Sequence, residues 1–358
     1  MEKTDIGSMT KEELEAYFAS EGEKKFRASQ VFSWIHGKQA ASFEQMSNLP
    51  ESLRKHLEQT AFITVLEPVK TQVSGIDGTT KYLFRLPDGN VIESVLMHYH
   101  HGNSVCISSQ VGCACGCRFC ASTLGGCVRS LTAAEMCGQV YRIAQLSGQR
   151  VDSVVVMGSG EPFENFDNFC RFVEILNDPA GYNLSRRAIT VSTCGIVPRI
   201  RELADRGTQV TLAVSLHAPN DEIRRKLMPV ANRYSIDEIL DACRYFFEKT
   251  GRRVSFEYSL AAGINDTPAC ADELAARLKG FPCHVNLIPV NPVRERTIRQ
   301  SAASDIQAFK RRLEKHGVNV TIRREMGRDI DGACGQLRKS YLDGPGSSKE
   351  SDNSGGMG

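Results

Sequence analysis

The sequence is organised around one stretch, Ser104-Val105-Cys106-Ile107-Ser108-Ser109-Gln110-Val111-Gly112-Cys113-Ala114-Cys115-Gly116-Cys117-Arg118-Phe119-Cys120. Cys113, Cys117 and Cys120 have the spacing C-x3-C-x2-C, and no fourth ligand completes the set locally. A structural zinc site closes with four protein ligands, and each iron of a four-iron cluster normally takes a thiolate. Three thiolates therefore leave one iron open to a substrate or cofactor. Thiolates are soft ligands that suit iron–sulfur or zinc sites, not magnesium or calcium.

Four further motifs narrow the interpretation. They are the string Cys106 to Cys113, Gly158 to Glu161, Ser215 to His217, and Asp331-Gly332-Ala333-Cys334-Gly335-Gln336-Leu337. The three-cysteine spacing, with an aromatic residue before the last cysteine, resembles the radical S-adenosylmethionine (SAM) superfamily. Together the motifs resemble the RlmN-type adenine-C2 RNA methyltransferases, sister to the Cfr-type adenine-C8 enzymes. The resemblance covers roughly residues 20 to 341.

Length and composition limit the class of protein and the compartment that can be expected. A chain of 358 residues is long enough for one α/β barrel and a small extra domain, and a charged fraction of 24% is ordinary for a soluble globular protein. Thirteen scattered cysteines, an odd number, argue against a secreted disulfide framework. The polar residues 1–18 contain no signal core, and no run of about 18 apolar residues predicts a membrane span. We therefore expect a cytoplasmic protein without membrane association.

Charge is unevenly distributed along the chain. The net charge is only +2, but residues 294–341 carry 12 Lys/Arg against 6 acids. The clusters Arg186-Arg187, Arg224-Arg225-Lys226 and Arg252-Arg253 add to this surplus. Such patches are compatible with a phosphate-binding face. They are equally compatible with a solvated charged surface.

Residues 1–70 are predicted to form a helical accessory domain, and the resemblance implies that it helps to hold RNA. Its three amphipathic stretches are a helix capped at Thr10 by a capping box with Glu13, the stretch Ala28–His36, and a helix that starts at Leu49-Pro50. Residues 71–103 are predicted to form a β-hairpin extension, with strands at Thr79–Leu86 and Val91–Met97 around a Pro-Asp-Gly-Asn turn.

From residue 104 onward, strand and helix patterns alternate at least six times. This alternation predicts βαβ units with a parallel sheet, and therefore a closed or partial barrel. Capping boxes at Thr132-Ala133-Ala134-Glu135 and Ser235-Ile236-Asp237-Glu238 predict where two of the helices begin, and Gly148 and Gly251 predict where they end. The resemblance implies an α/β fold with a partial (β/α)6 radical-SAM barrel over residues 104–341, including the segment that carries Cys334. The Gly/Ser-rich tail, 342–358, is predicted to be disordered.

Each candidate motif follows a predicted strand, where barrels collect their chemistry. The resemblance implies that Cys113, Cys117 and Cys120 ligate a [4Fe-4S] cluster whose open iron binds SAM. It also implies a set of SAM contacts: Gly160, Glu161, Ser192, Ser215, Leu216, His217 and Asn291. Taken alone, Gly158-Ser159-Gly160-Glu161 is as typical of a tight turn, and it has neither dinucleotide-fold nor P-loop spacing.

Three catalytic residues follow from the resemblance. Cys334 first takes a methyl group from one SAM, and a second SAM yields the radical that activates this methyl for addition to C2. Glu93 is the candidate acceptor of the C2 proton, although a lone Glu on a strand usually faces solvent. Cys106 then attacks the Cys334 sulfur, which releases the product and leaves a transient disulfide.

Half of the eight other cysteines have a simpler interpretation as small buried hydrophobes. This applies to Cys137, Cys170, Cys243 and Cys270. The sequence leaves open the roles of Cys115, Cys127, Cys194 and Cys283.

The function implied is methylation of C2 of adenine 2503 in 23S rRNA and of adenine 37 in tRNA. The enzyme would act as a monomer and take electrons from a donor such as flavodoxin. One alternative is a Cfr-type C8 methyltransferase that gives ribosomal antibiotic resistance. Another, of a different class, is a non-catalytic iron–sulfur or zinc protein that binds RNA.

Overall fold

Short helices open the chain. The computed structural model describes residues 3–291, 293, 295–330, 337–338 and 341. Within them the first elements are β1 (Thr4–Asp5), α1 (Lys11–Ser20), α2 (Lys25–Phe32), α3 (Glu51–Thr60) and β2 (Ala61–Phe62). The predicted capping box at Thr10 is confirmed: the Glu13 backbone N–H donates to its hydroxyl, and the Thr10 N–H donates to the Glu13 carboxylate.

An antiparallel unit follows, one strand larger than the hairpin predicted from the sequence. It comprises β3 (Glu67–Val73), β4 (Thr80–Arg85) and β5 (Val91–Tyr99). The sequence prediction missed β3, whose side chains are mostly exposed or half-buried and show no apolar face. β5 pairs with β6 (Gly102–Cys106), so the antiparallel unit continues directly into the main sheet.

The predicted partial barrel is confirmed. After β7 (Gln110–Gly112) and β8 (Cys127–Ser130), its strands are β9 (Ser153–Val156), β10 (Ile189–Thr193), β11 (Thr211–Ser215), β12 (Val254–Leu260), β13 (Cys283–Pro289) and β14 (Val320–Ile322). β6 pairs with β9, and the strands from β9 to β14 then pair in chain order, all in parallel. The sheet does not close on itself, because β6 continues antiparallel into β5 and β14 ends the other edge of the described sheet.

Helices return the chain between these strands. They are α4 (Ala133–Ser147), α5 (Phe166–Asn177), α6 (Val197–Asp205), α7 (Asp221–Leu227), α8 (Ile236–Thr250), α9 (Pro268–Leu278) and α10 (Ala303–Lys315). The capping boxes predicted at Thr132 and Ser235 begin α4 and α8, and Gly148 and Gly251 end them in the left-handed conformation.

A single apolar core joins the amino-terminal helices to the barrel. It includes Phe18 and Phe32 from the helices and Phe169 and Phe246 from the barrel, all fully buried. Among the described helices, none combines the length and apolar character needed to cross a bilayer.

Two local features differ from the sequence prediction. The cysteine stretch does not leave the first barrel strand directly; it lies between β7 and β8, a short antiparallel ribbon. The predicted basic cluster at residues 224–226 is wrong for Arg224, which is completely buried on α7, although Arg225 and Lys226 are exposed.

Candidate active site

A cavity of about 580 Å³ opens at the carboxyl ends of the barrel strands. Most of the predicted site residues line it: Cys106, Cys113, Cys117, Cys120, Gly160, Glu161, Ser192, Ser215, His217 and Asn291. The side chain of Leu216 is buried and does not line the cavity, nor does Glu93. Cys334 lies outside the described residues.

The cysteine loop is fixed at several points. Gly112 has a φ of +82°, and a Cβ there would lie 2.0 Å from the Gly126 carbonyl oxygen, so this turn requires glycine. The Cys113 N–H donates to that same carbonyl at 2.9 Å, and the Arg118 N–H donates to Leu227 at the end of α7. The ribbon and α7 therefore present the three predicted ligands to the cavity.

The donor set of this loop suits a thiolate-ligated cluster. Hydrogen bonding with Cys115 and burial raise the pKa of the Cys113 thiol, and burial with the neighbouring thiols Cys120 and Cys113 raises the pKa of Cys117. Buried thiols with raised pKa values become thiolates only when a cation compensates their charge. A cationic iron–sulfur core would supply that compensation.

Two cysteines whose roles the sequence left open, Cys115 and Cys194, also line the cavity. Cys115 Sγ lies 3.8 Å from Cys194 Sγ, although 79 residues separate them. With Glu161, they place three ligand atoms within 4.8 Å of one another. The Cys115 hydrogen bond alone would lower the pKa of Cys194, but burial and the nearby Glu161 raise it to about 12. The cavity therefore contains more thiol donors than the three-cysteine spacing predicts.

Glu161 is buried and already holds two hydrogen bonds. The N–H groups of Phe163 and Cys194 donate to its two carboxylate oxygens, at 3.0 and 2.6 Å. Burial raises the pKa of Glu161, while these donors oppose the shift. Each carboxylate oxygen has a second lone pair, so the group can still accept from a cationic ligand. The preceding Gly160 has a φ of +106°, and a Cβ there would lie 2.6 Å from Gln110 Cβ, so packing also requires this glycine.

Hydroxyls and one histidine form the adjacent part of the cavity. Ser192 Oγ and Ser215 Oγ lie 3.3 Å apart at the ends of β10 and β11. His217 Nδ1 accepts from the Ser259 N–H at 2.9 Å, so its proton is assigned to Nε2. Burial and the Arg224 cation lower the pKa of His217 to about 3. The imidazole is therefore neutral, which agrees with a binding role and not with an acid–base role.

Arg224 holds these loops in place from outside the cavity lining. Its guanidinium donates to the carbonyls of Leu216, Cys194 and Ser215 at 3.1, 2.6 and 3.2 Å. The backbone of Leu216 is thus fixed although its side chain points away from the cavity.

The hairpin closes another side of the cavity. Val95 and Met97 of β5 line it, and Cys106 pairs with Val95 in register. Glu93, two residues before Val95 on the same face, is only 6% exposed, so the usual solvent-facing interpretation of a strand glutamate is wrong here. Glu93 Oε1 accepts from the Arg338 backbone N–H at 2.5 Å, and Oε2 lies 3.5 Å from Lys81 Nζ.

The turn between β3 and β4 holds the chain that follows β14. Ser74 Oγ and the Gly75 N–H donate to the Asp329 carboxylate at 2.6 and 2.8 Å. The Gly327 N–H donates to Asp77 at 3.0 Å. Desolvation would raise the pKa of Asp77, but this donor and the Thr79 N–H hold it at about 2.

Comparison with known proteins agrees with this geometry. Residues 4–63 match the ribosomal RNA large subunit methyltransferase N-terminal domain, and residues 107–276 match the radical SAM superfamily. The chain is 61% identical over 340 residues to a probable dual-specificity RNA methyltransferase RlmN of Lachnospira eligens, covering 95% of this chain and 97% of the relative. A relative with the same description from Lachnoclostridium phytofermentans is 58% identical and covers 96% of each chain.

The chain belongs to the RlmN family. A crystal structure of a radical SAM methyltransferase from Sphaerobacter thermophilus is similar to it, with a TM-score of 0.88 and 45% identity over 93% of this chain and 98% of that one. The chain is thus a radical SAM RNA methyltransferase of the RlmN type, a family whose chemistry implies an iron–sulfur cluster and SAM.

Other polar residues of this RlmN-type cavity had no sequence signal. Glu257 is buried on β12, accepts from Asn286 Nδ2 at 2.9 Å, and has a pKa raised by burial. Ser259, Gln300 and Arg323 also line the cavity. An isolated charged residue on a strand does not reveal which face it occupies until the register is known.

Proposed function

We propose that this RlmN-type enzyme methylates C2 of adenine 2503 in 23S rRNA and of adenine 37 in tRNA, through a methyl-cysteine at Cys334. The observation that supports this most is the meeting of two regions at Glu93. Arg338, four residues after Cys334, donates its backbone N–H to the Glu93 carboxylate and its side-chain Nε to the Val91 carbonyl. The segment that carries the proposed methyl-cysteine is thereby tied to the strand that carries the proposed base.

Cys113, Cys117 and Cys120 would hold a [4Fe-4S] cluster, and the cavity would hold SAM, with two SAM molecules used per turnover. When bound, these groups supply the methyl, the 5′-deoxyadenosyl radical that activates it, and the acceptor for the electron left at the end. Glu161 would bind the ammonium of SAM through its remaining lone pairs, beside the backbone of Gly160.

The other proposed SAM contacts surround Glu161. Ser192 and Ser215 offer hydroxyls, His217 offers Nε2–H, and Asn291 offers an amide. Leu216 would contribute only its backbone, because its side chain is buried away from the cavity.

Two residues of the hairpin side would complete the reaction. After the methyl carbon on Cys334 has joined C2, a Glu93 oxygen takes the C2 proton. Cys106, as thiolate, attacks the Cys334 sulfur; the S–S bond forms as the S–C bond breaks, and the product carbon takes a proton to become the methyl group. Cys106 is suited to this role by its position on the cavity face beside Val95. A thiol reductant then restores the two cysteines.

The RNA is proposed to approach along the basic stretch of residues 294–341. A donor such as flavodoxin is proposed to supply electrons to a monomeric enzyme. Of the arginines that the sequence places there, Arg323, Arg324 and Arg328 line the mouth of the cavity. Guanidinium groups at this position are well placed for phosphate contacts.

Nucleoside mass spectrometry tests this function. Unmodified 23S rRNA and tRNA are incubated without oxygen with reconstituted enzyme, reductant and SAM. We expect 2-methyladenosine in both RNAs. 8-Methyladenosine would instead assign a Cfr-type reaction, and SAM cleavage without either nucleoside would contradict the proposed substrate. A protein that binds RNA but cleaves no SAM would support the non-catalytic alternative.

A further inference from the structure

Lys81 is one of the most deeply buried charged side chains among the described residues. It lies on β4 with 0% of its surface exposed, and its ammonium is 3.5 Å from Glu93 Oε2. Lysine is almost never fully buried unless it is paired, because an ammonium loses its hydration inside a protein. The enzyme therefore retains a costly cation beside Glu93, and neither the SAM contacts nor the cysteine chemistry uses it.

We propose that Lys81 is a positioning residue for methyl release: it holds Glu93 in place and supplies the counter-charge for removal of the C2 proton. This inference rests on the proposed function, since it requires Glu93 to be the proton acceptor. It assigns Lys81 no contact with the substrate.

The strand register places the two groups on one face. In the β4–β5 ladder, Leu83 lies opposite Glu93 and Lys81 lies opposite Val95. Lys81 and Glu93 are thus diagonal neighbours on the face whose next residues, Val95 and Met97, line the cavity. Lys81 therefore approaches Glu93 from the neighbouring strand.

Both oxygens of Glu93 are held from different elements. Oε2 faces Lys81 on β4, and Oε1 accepts the Arg338 backbone N–H from the carboxyl-terminal segment. Leu337 packs on Leu83 and Val91 of the same face, which covers the pair from solvent. A carboxylate that is held at both oxygens keeps one orientation, which a base needs in order to meet the proton that it accepts.

The charge balance of the step explains why a cation is useful here. The C2–H bond breaks, its proton bonds to a Glu93 oxygen, and its electron pair remains on the adduct. Before this transfer the pair Lys81–Glu93 is neutral, and after it the pair carries one positive charge. The positive charge on the pair appears at the same time as negative charge develops on the adduct, so the two charges attract each other. This attraction is strong because the region is buried.

Three quantities measured in one anaerobic reaction test the inference: 5′-deoxyadenosine, 2-methyladenosine, and protein covalently joined to RNA. For Lys81→Met we expect 5′-deoxyadenosine within about twofold of wild type and methyladenosine lowered about 10- to 100-fold, the range for losing a charged hydrogen-bond partner. The crosslinked fraction should rise, because adduct formation continues while proton removal slows. RNA deuterated at C2 should then show a larger isotope effect in Lys81→Met than in wild type.

Three variants serve as comparisons. Lys81→Arg keeps the cation and should recover most of the release rate. Lys70→Met changes an exposed lysine on the neighbouring strand β3 and should behave as wild type. The double variant Lys81→Met/Glu93→Gln removes both charges of the pair, so it tests whether a lone carboxylate, and the misfolding it could cause, explains the result for Lys81→Met. It should match Glu93→Gln alone, because two residues that act in one step are not additive.

Three results would overturn the inference. If Lys81→Met lowers 5′-deoxyadenosine and methyladenosine in equal proportion without crosslink, Lys81 is only structural. If Glu93→Gln accumulates crosslink but Lys81→Met does not, Glu93 acts without Lys81, and the proposed function survives. If Glu93→Gln itself releases product normally, both the role of Glu93 and this inference are wrong.

Discussion

Two walls of one cavity hold their buried polar groups by different kinds of interaction. The barrel wall (Cys113, Cys117, Cys120, Glu161, Ser192, Ser215 and His217) is held largely by backbone hydrogen bonds. The hairpin wall consists of Val95, Met97 and Cys106, which line the cavity, together with Lys81 and Glu93, which lie beside them on β4 and β5. It contains a buried ion pair and a contact from Arg338. Backbone donors fix a group in one position, whereas an ion pair changes its net charge when one partner takes a proton.

This difference predicts separate roles for the two walls. The barrel wall suits binding of a cofactor that must keep one geometry, and the neutral His217 is an example. The hairpin wall suits the transfer of a proton and the exchange of sulfur bonds. Variants in the barrel wall should therefore affect SAM cleavage, and variants in the hairpin wall should affect product release.

The largest effect is expected in the barrel wall. Cys117→Ala removes one of three ligands for the cluster, and we expect SAM cleavage to fall by at least about 1,000-fold, since the radical chemistry needs the metal. Iron content and 5′-deoxyadenosine measure this. Cys127→Ala is the matched control, because Cys127 lies on the adjacent ribbon strand and does not line the cavity. Equal loss in both variants would refute the ligand assignment.

The next effect concerns stability. Arg224→Met removes the donor to three buried carbonyls, and leaving such groups unsatisfied should lower the free energy of unfolding by about 2–4 kcal/mol. Urea denaturation of the cluster-free protein measures it. Arg225→Met changes an exposed neighbour and should stay within about 0.5 kcal/mol of wild type. A similarly small change in the free energy of unfolding of Arg224→Met would show that these hydrogen bonds contribute little to stability.

A third effect depends on pH. The pKa of His217 is about 3 in the folded protein, below its ordinary value of 6.5. As the pH falls from about 6.5 towards 3, the unfolded chain takes a proton that folded His217 does not, so stability declines by up to about 1.4 kcal/mol per pH unit. His217→Asn should remove this part of the slope in denaturation curves between pH 6 and 4. An unchanged slope would contradict burial of a neutral imidazole.

The smallest effect tests the hairpin wall from outside the cavity. Asp77→Asn weakens the bond from the Gly327 N–H, one of the contacts that hold the chain before Cys334. We expect methyladenosine to fall about two- to fivefold with SAM cleavage unchanged, as for loss of one partly exposed hydrogen bond. Asp241→Asn on α8 is the control, since Asp241 pairs only locally with Arg244 among its described contacts. If Asp77→Asn also reduces SAM cleavage, the two walls do not act separately, and the proposed comparison is wrong.

The sequence predicted the barrel wall better than the hairpin wall, for a physical reason. Motifs such as Gly158–Glu161 and Ser215–His217 lie at the ends of parallel strands, and parallel strands bring their carboxyl ends together whatever the details of packing. Capping boxes are equally local, and those at Thr132 and Ser235 gave the helix starts correctly.

The features that the sequence could not predict depend on which distant residues meet in the folded structure. Lys81 and Arg224 are charged residues that polarity alone assigns to the surface, but distant carboxylates and carbonyls satisfy them inside. Cys115 and Cys194 meet across 79 residues. The ribbon β7–β8 was missed because strands of three and four residues are too short to show an alternating pattern.

The order of the sheet has a consequence for synthesis of the protein on the ribosome. From β3 to β6 and then β9 to β14, each strand joins the edge left by the one before it, so the sheet can grow as the chain emerges. The bond from Arg338 to Glu93 spans 245 residues and returns to the other side of this sheet. It can form only after residue 338 has emerged, later than every strand of the described sheet. A nascent chain can thus complete its cofactor side first and assemble its methyl-transfer side only after Arg338 has been synthesised.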